Sequence, residues 1–181
     1  MVSAPHQSEL ARAIKVKGLP AEPVVIEADA AERAALAERF GLPGIDTLRA
    51  DIALEQRVTA IRATGTLTAA IRQTCAISGE DFPATIEEQL DLRFIEAGTL
   101  DPASDEDGEI EVELEADDCD EIEFSGEAFD LGEAVAQTLG LAIDPYAEGP
   151  QADEARKRAG ITQEGEQEGP LAEMLKGLTK S

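Results

Sequence analysis

At 181 residues with 43% apolar side chains, the chain is long enough for one ordinary domain with a real core; an aromatic content of 3% without Trp leaves that core to Val, Ile, Leu and Ala, with Phe40, Phe82, Phe94, Phe124 and Phe129 as its large pieces. No run of about 18 apolar residues is present, which excludes a membrane-spanning helix, and two cysteines, Cys75 and Cys119, make no disulfide framework. The net charge of −24 is concentrated: residues 94–155 carry 21 Asp+Glu and no Lys or Arg, against 10 basic and 14 acidic residues in 1–93 and 5 and 4 in 156–181.

Residues 1–9 read as a flexible N-terminus, without the apolar core or cleavage site of a secretory signal. Leu10 to Lys17 reads as a short strand, broken by Gly18-Leu19-Pro20, and Val24 to Ile26 as a second. Asp29 with Glu32 three residues on is a capping-box arrangement; Ala35, Leu36 and Phe40 share one helical face, and Gly41 ends that helix. The period then switches to two: Leu48, Ala50, Ile52, Leu54 and Val58 alternate with Arg49, Asp51, Glu55 and Arg57, a half-buried strand. A turn is expected near Ala63 to Gly65. Leu67, Ala69, Ile71 and Cys75 form the next apolar face, Ser78-Gly79-Glu80-Asp81 is a turn signal, and Ile86, Leu90, Leu92 and Phe94 mark a third long strand. The three fit an antiparallel meander with one wet face.

Residues 98–108 read as an acidic loop. Ile110, Val112 and Leu114 alternate with glutamates as a further strand, and Ile122 with Phe124 starts its return. A second helix begins at Asp130, with Glu133 at its third position and Phe129 and Ala134 placed as a weak hydrophobic staple; Asp144-Pro145 stops it. The whole reads as an α+β fold: a mainly antiparallel, curved or barrel-like sheet with two short helices in a single domain, 10–146. Residues 147–181 form a mobile tail in which Leu171, Met174, Leu175 and Leu178 suit a short docking helix at 170–178 or an adhesive end.

The chemistry points away from an enzyme. The one histidine, His6, lies in the loose N-terminus, whereas a general base needs fixed geometry. Cys75 reads as a small buried side chain. Cys75-Ala76-Ile77-Ser78 has serine where a zinc half-site needs its second cysteine. Asp105-Glu106-Asp107-Gly108-Glu109-Ile110 mimics the centre of a calcium loop, but the positions that should be Asp and bidentate Glu are Ala103 and Leu114. No cofactor and no metal are expected. Arg156, Lys157 and Arg158 are the one basic cluster and the candidate RNA contact, a small footprint in an acidic chain.

The surface best suited to a partner is the acidic belt: Asp105, Glu106, Asp107, Glu109, Glu111, Glu113, Asp117, Asp118, Asp120 and Glu121. A field this negative repels phosphate backbones and attracts basic proteins, although it serves solubility as readily.

Several segments together resemble the YceD family of large ribosomal RNA subunit accumulation proteins: Val16 to Leu42, Gly65 to Pro83 with Cys75 at the family's cysteine position, Asp130 to Tyr146, and Gly169 to Leu178. Many relatives carry Cys-x-x-Cys where this chain has Cys75 and Ser78, so a metal role of those cysteines would be absent here. The resemblance implies a bacterial, cytoplasmic, non-enzymatic accessory factor in the accumulation of large-subunit ribosomal RNA, with a gene often beside that of a small basic ribosomal protein. Together with the charge it gives the expectation of a basic ribosomal protein or pre-ribosomal particle as partner, direct nucleic-acid contact being weak and membrane contact absent. The alternatives are an acidic nucleic-acid mimic, for which Glu109, Glu111, Glu113 and Glu115 would be spaced along a strand, and a direct RNA-binding assembly factor using Arg156, Lys157, Arg158 and the arginines of the meander.

Overall fold

The structure is a computed structural model that describes residues 8–98 and 120–161. They fall into two compact units, one holding 8–72, 83–98 and 120–144, the other 73–82 and 145–161. The elements in chain order are β1 (Ala13–Lys15), β2 (Val24–Glu27), α1 (Ala30–Phe40), β3 (Gly44–Gln56), β4 (Ala60–Thr74), β5 (Asp81–Glu96), β6 (Asp120–Phe124), β7 (Ala128–Asp130), α2 (Leu131–Ala142) and α3 (Ala152–Ala159). The class is α+β, as expected, with a mainly antiparallel sheet of order β2-β3-β4-β5-β6 and a small ribbon in which β1 pairs antiparallel with β7.

Two features of the expected architecture are corrected. Among the described residues the sheet is open, with β2 and β6 as its edges, and no barrel closes. The described residues hold three helices, not two. The third, α3, was legible: its sequence places Asp153 and Glu154 in the first turn and Arg156, Lys157 and Arg158 in the last, charges that oppose the helix dipole correctly at each end, and Gly160 closes it in the left-handed conformation.

The long strands of the first unit follow the period of two, with one slip. Ile45 and then Leu48, Ala50 and Ile52 point inward, a change of phase produced by a register shift between Ile45 and Thr47. Strand β3 ends sooner than its alternation suggests. Val58 belongs to the β3–β4 turn and is fully exposed, closed by a hydrogen bond from the Arg57 amide to the Ala60 carbonyl at 2.9 Å. The turn expected at Ala63 to Gly65 is therefore absent, and those residues lie inside β4. Gly65 serves a different purpose. It stands opposite Ile52, and a Cβ there would lie 2.1 Å from the Asp51 carbonyl oxygen. A glycine in a strand marks close backbone approach as readily as a turn. Strand β6 forms where Ile122 and Phe124 placed a strand, and it runs parallel to β5, pairing Leu92–Glu96 with Asp120–Phe124.

Both α1 and α2 contribute to a core with the inner face of the sheet: Leu36 and Ala37 from α1, Leu131, Ala134, Val135, Ala136 and Leu139 from α2, against Leu48, Ala50, Ile52, Leu67, Ala69, Ile71, Leu90, Leu92 and Phe94. Burial of each large aliphatic side chain contributes roughly 1.5–3 kcal/mol. Phe94 and Phe129 meet at a centroid distance of 4.2 Å, with Phe124 5.8 Å from Phe129. The capping box of α1 forms as its sequence dictates: the Asp29 carboxylate accepts from the Ala31 and Glu32 amides at 2.8 and 2.9 Å, and the Glu32 carboxylate accepts the Asp29 amide at 2.8 Å. Gly41 ends the helix with φ 65°.

The N-terminal segment straps this unit. Leu10 is fully buried, the Arg12 amide donates to Asp130 Oδ1 at 2.8 Å, and the Arg12 carbonyl accepts the Leu131 amide at 3.0 Å. Gly132 makes the approach possible, since a Cβ there would sit 1.6 Å from the Leu10 carbonyl oxygen.

In the second unit, the Cys75 amide donates to the Glu80 carbonyl and the Gly79 amide to the Cys75 carbonyl, both at 2.9 Å, closing the reversal signalled by Ser78-Gly79-Glu80. The Ala76 amide donates to the Ala147 carbonyl at 3.0 Å, and Gly149 leaves room for the Phe82 ring.

Candidate partner-binding surface

The outer face of the sheet is wet, and its cations are already matched. Thr64, Thr66 and Thr68 run along β4, the latter two opposite Asp51 and Arg49 of β3. Arg49 binds Asp51 at 2.8 Å and also reaches Glu27. Arg62 grips Asp91 with two bonds of 2.8 and 2.6 Å. Arg57 pairs with Glu55 at 2.8 Å, Arg93 with Glu121 at 3.1 Å, and Arg72 with Asp46 at 3.4 Å. Each arginine of the meander therefore spends its charge on a neighbour. The Asp51 carboxyl is held below its ordinary range by the hydrogen bonds from Arg49. No aromatic ring stands among these side chains, so this face offers no stacking platform for bases.

Two further arginines serve the strap. Arg12 holds Glu32 with bonds of 2.6 and 3.0 Å, which lowers the Glu32 pKa, and it caps the Glu27 carbonyl at the end of β2. Arg39 joins Glu133 at 2.8 and 3.1 Å and Glu9 at 2.9 Å. The Glu133 carboxyl is depressed to about 2 by these bonds and by others from Ser8 and Gln137, against the opposing effect of partial burial.

Of the belt proposed from sequence, Asp105, Glu106, Asp107, Glu109, Glu111, Glu113, Asp117 and Asp118 lie outside the described residues, as do His6, Glu115, Cys119, the calcium-like loop and the 170–178 segment. Asp120 opens β6 and is exposed beside Leu92 of β5. Glu121 is exposed too, but Arg93 partly neutralises it. The candidate RNA cluster divides: Arg156 is tied to Glu148 and Asp153, while Lys157 and Arg158 are exposed in the last turn of α3.

Two carboxylates missed by the sequence reading stand together on β5. Glu87 and Glu88 are both exposed, although Glu88 has the same parity as buried Ile86 and Leu90. The signal was the doubled glutamate interrupting an apolar alternation.

Cys75 is buried, 2% exposed, as expected. Its thiol is pulled down to about 7 by the Ser78 hydroxyl, by the Ser78 amide 3.3 Å from Sγ, and by the Gly149 and Ile77 amides. Among the described residues no three His, Cys, Asp or Glu side chains gather as a metal site, and no helix is long and apolar enough to cross a membrane.

The chain belongs to the large ribosomal RNA subunit accumulation protein family YceD, whose model matches residues 63–175. The family's name ties its members to large-subunit ribosomal RNA. No curated protein and no solved structure matches the chain.

Proposed function

We propose that this protein is a non-enzymatic, cytoplasmic accessory factor that binds a basic protein of the large ribosomal subunit and keeps it available for assembly with its RNA. The charge distribution carries the reading: residues 94–155 hold 21 carboxylates and no Lys or Arg. Such a segment steers a cationic protein toward itself and repels RNA, and it would favour the soluble, bound form of that protein by mass action. The arginine pairing supports the same view. Arg49, Arg57, Arg62, Arg72 and Arg93 face carboxylates of this chain, so phosphate binding would first have to break those pairs.

The test is affinity capture from native lysate, with and without nuclease, at low and high salt. A basic large-subunit ribosomal protein retained after nuclease treatment and released by salt is the expected result. Capture of ribosomal RNA with no ribosomal protein after nuclease treatment would contradict it.

A further inference from the structure

Most arginines of the described residues hold a carboxylate closely, as Arg62 holds Asp91 at 2.6 Å and Arg93 holds Glu121 at 3.1 Å. Arg33 and Arg72 do not, and they line one cavity of about 430 Å³ within the first unit. Arg33 gives a single bond, 2.6 Å to the Ala28 carbonyl, which anchors its guanidinium and leaves the other donors uncommitted. Arg72 lies 3.4 Å from Asp46, beyond the usual hydrogen-bond range, and both side chains are exposed, so this is the loosest of the sheet pairs described above. The sequence builds the space itself. Ala30, Ala34 and Ala37 recur at i, i+4 and i+7 on α1, a face of small side chains set against the start of β3, where Leu42 and Ile45 add apolar wall. Strand register brings Arg72 opposite Gly44, and a Cβ at Gly44 would lie 2.6 Å from Arg72 Nη2 and 3.2 Å from its Cζ. The guanidinium therefore rests on bare backbone at the cavity wall.

We propose that this cavity binds a small phosphomonoester, its phosphate held between Arg33 and Arg72 and its body against the alanine face of α1. The volume suits a small organic ligand. Guanidinium forks match phosphate oxygens, and two guanidinium charges answer a dianion rather than a single carboxylate. Phosphate displaces only the loose Asp46 contact, whereas the other sheet arginines would have to give up tight bonds. The exposed Glu38 also lines the cavity and opposes an anion, which limits the affinity. A net charge of −24 repels a long polyanion far more than a compact ligand, so the occupant is a small molecule. The site is independent of the basic partner proposed above.

The probe is phenyl phosphate, titrated into the full-length protein and followed by the shifts of backbone amide resonances. The largest shifts are expected within 30–45. Arg33→Gln and Arg72→Gln should each weaken binding about tenfold, the loss of one charged hydrogen-bonding partner. Ala34→Leu should abolish binding by filling the cavity; Ala34 is exposed, so the fold tolerates the larger side chain. Glu38→Gln should strengthen binding severalfold, a gain that no loss of folding can imitate. Lys17→Gln removes a positive charge that does not line the cavity and should leave binding unchanged. Absence of phenyl phosphate binding, shifts confined to other segments, losses in Lys17→Gln equal to those in the arginine variants, or benzoate binding as tightly as phenyl phosphate overturns the proposal. A 5′-phosphorylated oligonucleotide binding more tightly than phenyl phosphate also overturns it, because the two arginines would then serve nucleic acid.

Discussion

Glu133 sits at the third position of α2, where the spacing from Asp130 suggests a carboxylate returning a bond to the cap. Asp130 does cap the helix, its carboxylate accepting the Glu133 amide at 3.1 Å, but the Glu133 side chain turns to Arg39. A bidentate arginine is a stronger partner than a backbone amide, and it joins the two helices. The Glu133 carboxyl, held near 2 rather than 4.5, stabilises the fold fully above pH 4.5 and loses that contribution as pH falls toward 2. Because the pair is partly solvent-screened, Glu133→Gln should cost only about 1 kcal/mol at pH 6. Urea unfolding of both proteins at pH 6 and pH 2.5 checks this: the gap between them should narrow at the lower pH, and a constant gap would refute the electrostatic origin. Cys75 offers a second residue-scale test. In a Cys119→Ser background the thiolate absorbance near 240 nm should titrate with a midpoint of about 7; a midpoint at the ordinary 9.0 would show that the Ser78 donors do not reach the sulfur.

The elements teach which local signals dominate. Capping chemistry was legible because it needs only neighbouring residues: Asp29 with Glu32, Gly41 after α1 and Asp130 before α2 all act where their spacing puts them. Asp29→Ala should destabilise the protein by about 1 kcal/mol, measured by thermal or urea unfolding; no change would mean that the cap is redundant. The glycines were less legible, since their role depends on what another segment brings near. Gly65 reads locally as a turn but accommodates the Asp51 carbonyl across the sheet, and Gly132 accommodates the Leu10 carbonyl of the strap. Gly132→Ala should therefore cost several kcal/mol, on the order of 3, because the clash is with backbone and cannot be relieved by a rotamer. Hydrogen exchange should show residues 8–12 released from the helix they cross, whereas an unperturbed variant would contradict the tight approach. The parallel setting of β6 was equally invisible to alternation, which reports faces and not strand direction. The shortfall at the candidate site has a similar cause. Charge counting found the acidic belt but could not see that Glu121 is paired with Arg93, nor that Glu87 and Glu88 are both exposed on β5.

At the scale of the whole molecule, the sheet's arginines are answered by carboxylates of the same chain, and a large surplus of negative charge remains. That surplus is the physical basis of the assembly role we propose, and family membership ties the chain to large-subunit ribosomal RNA accumulation. Association with a cationic partner should weaken steeply between low and physiological salt, because the attraction between exposed charges is screened over about 8 Å at 0.15 M. The most direct measurement replaces Asp105, Glu106, Asp107, Glu109, Glu111, Glu113, Asp117, Asp118 and Asp120 by their amides in the chromosomal gene and follows the ratio of large to small ribosomal subunits on sucrose gradients. With the variant folded and present at the normal level, the ratio should fall toward that of a strain lacking the protein; a ratio unchanged from wild type would contradict the claim that these carboxylates do the work.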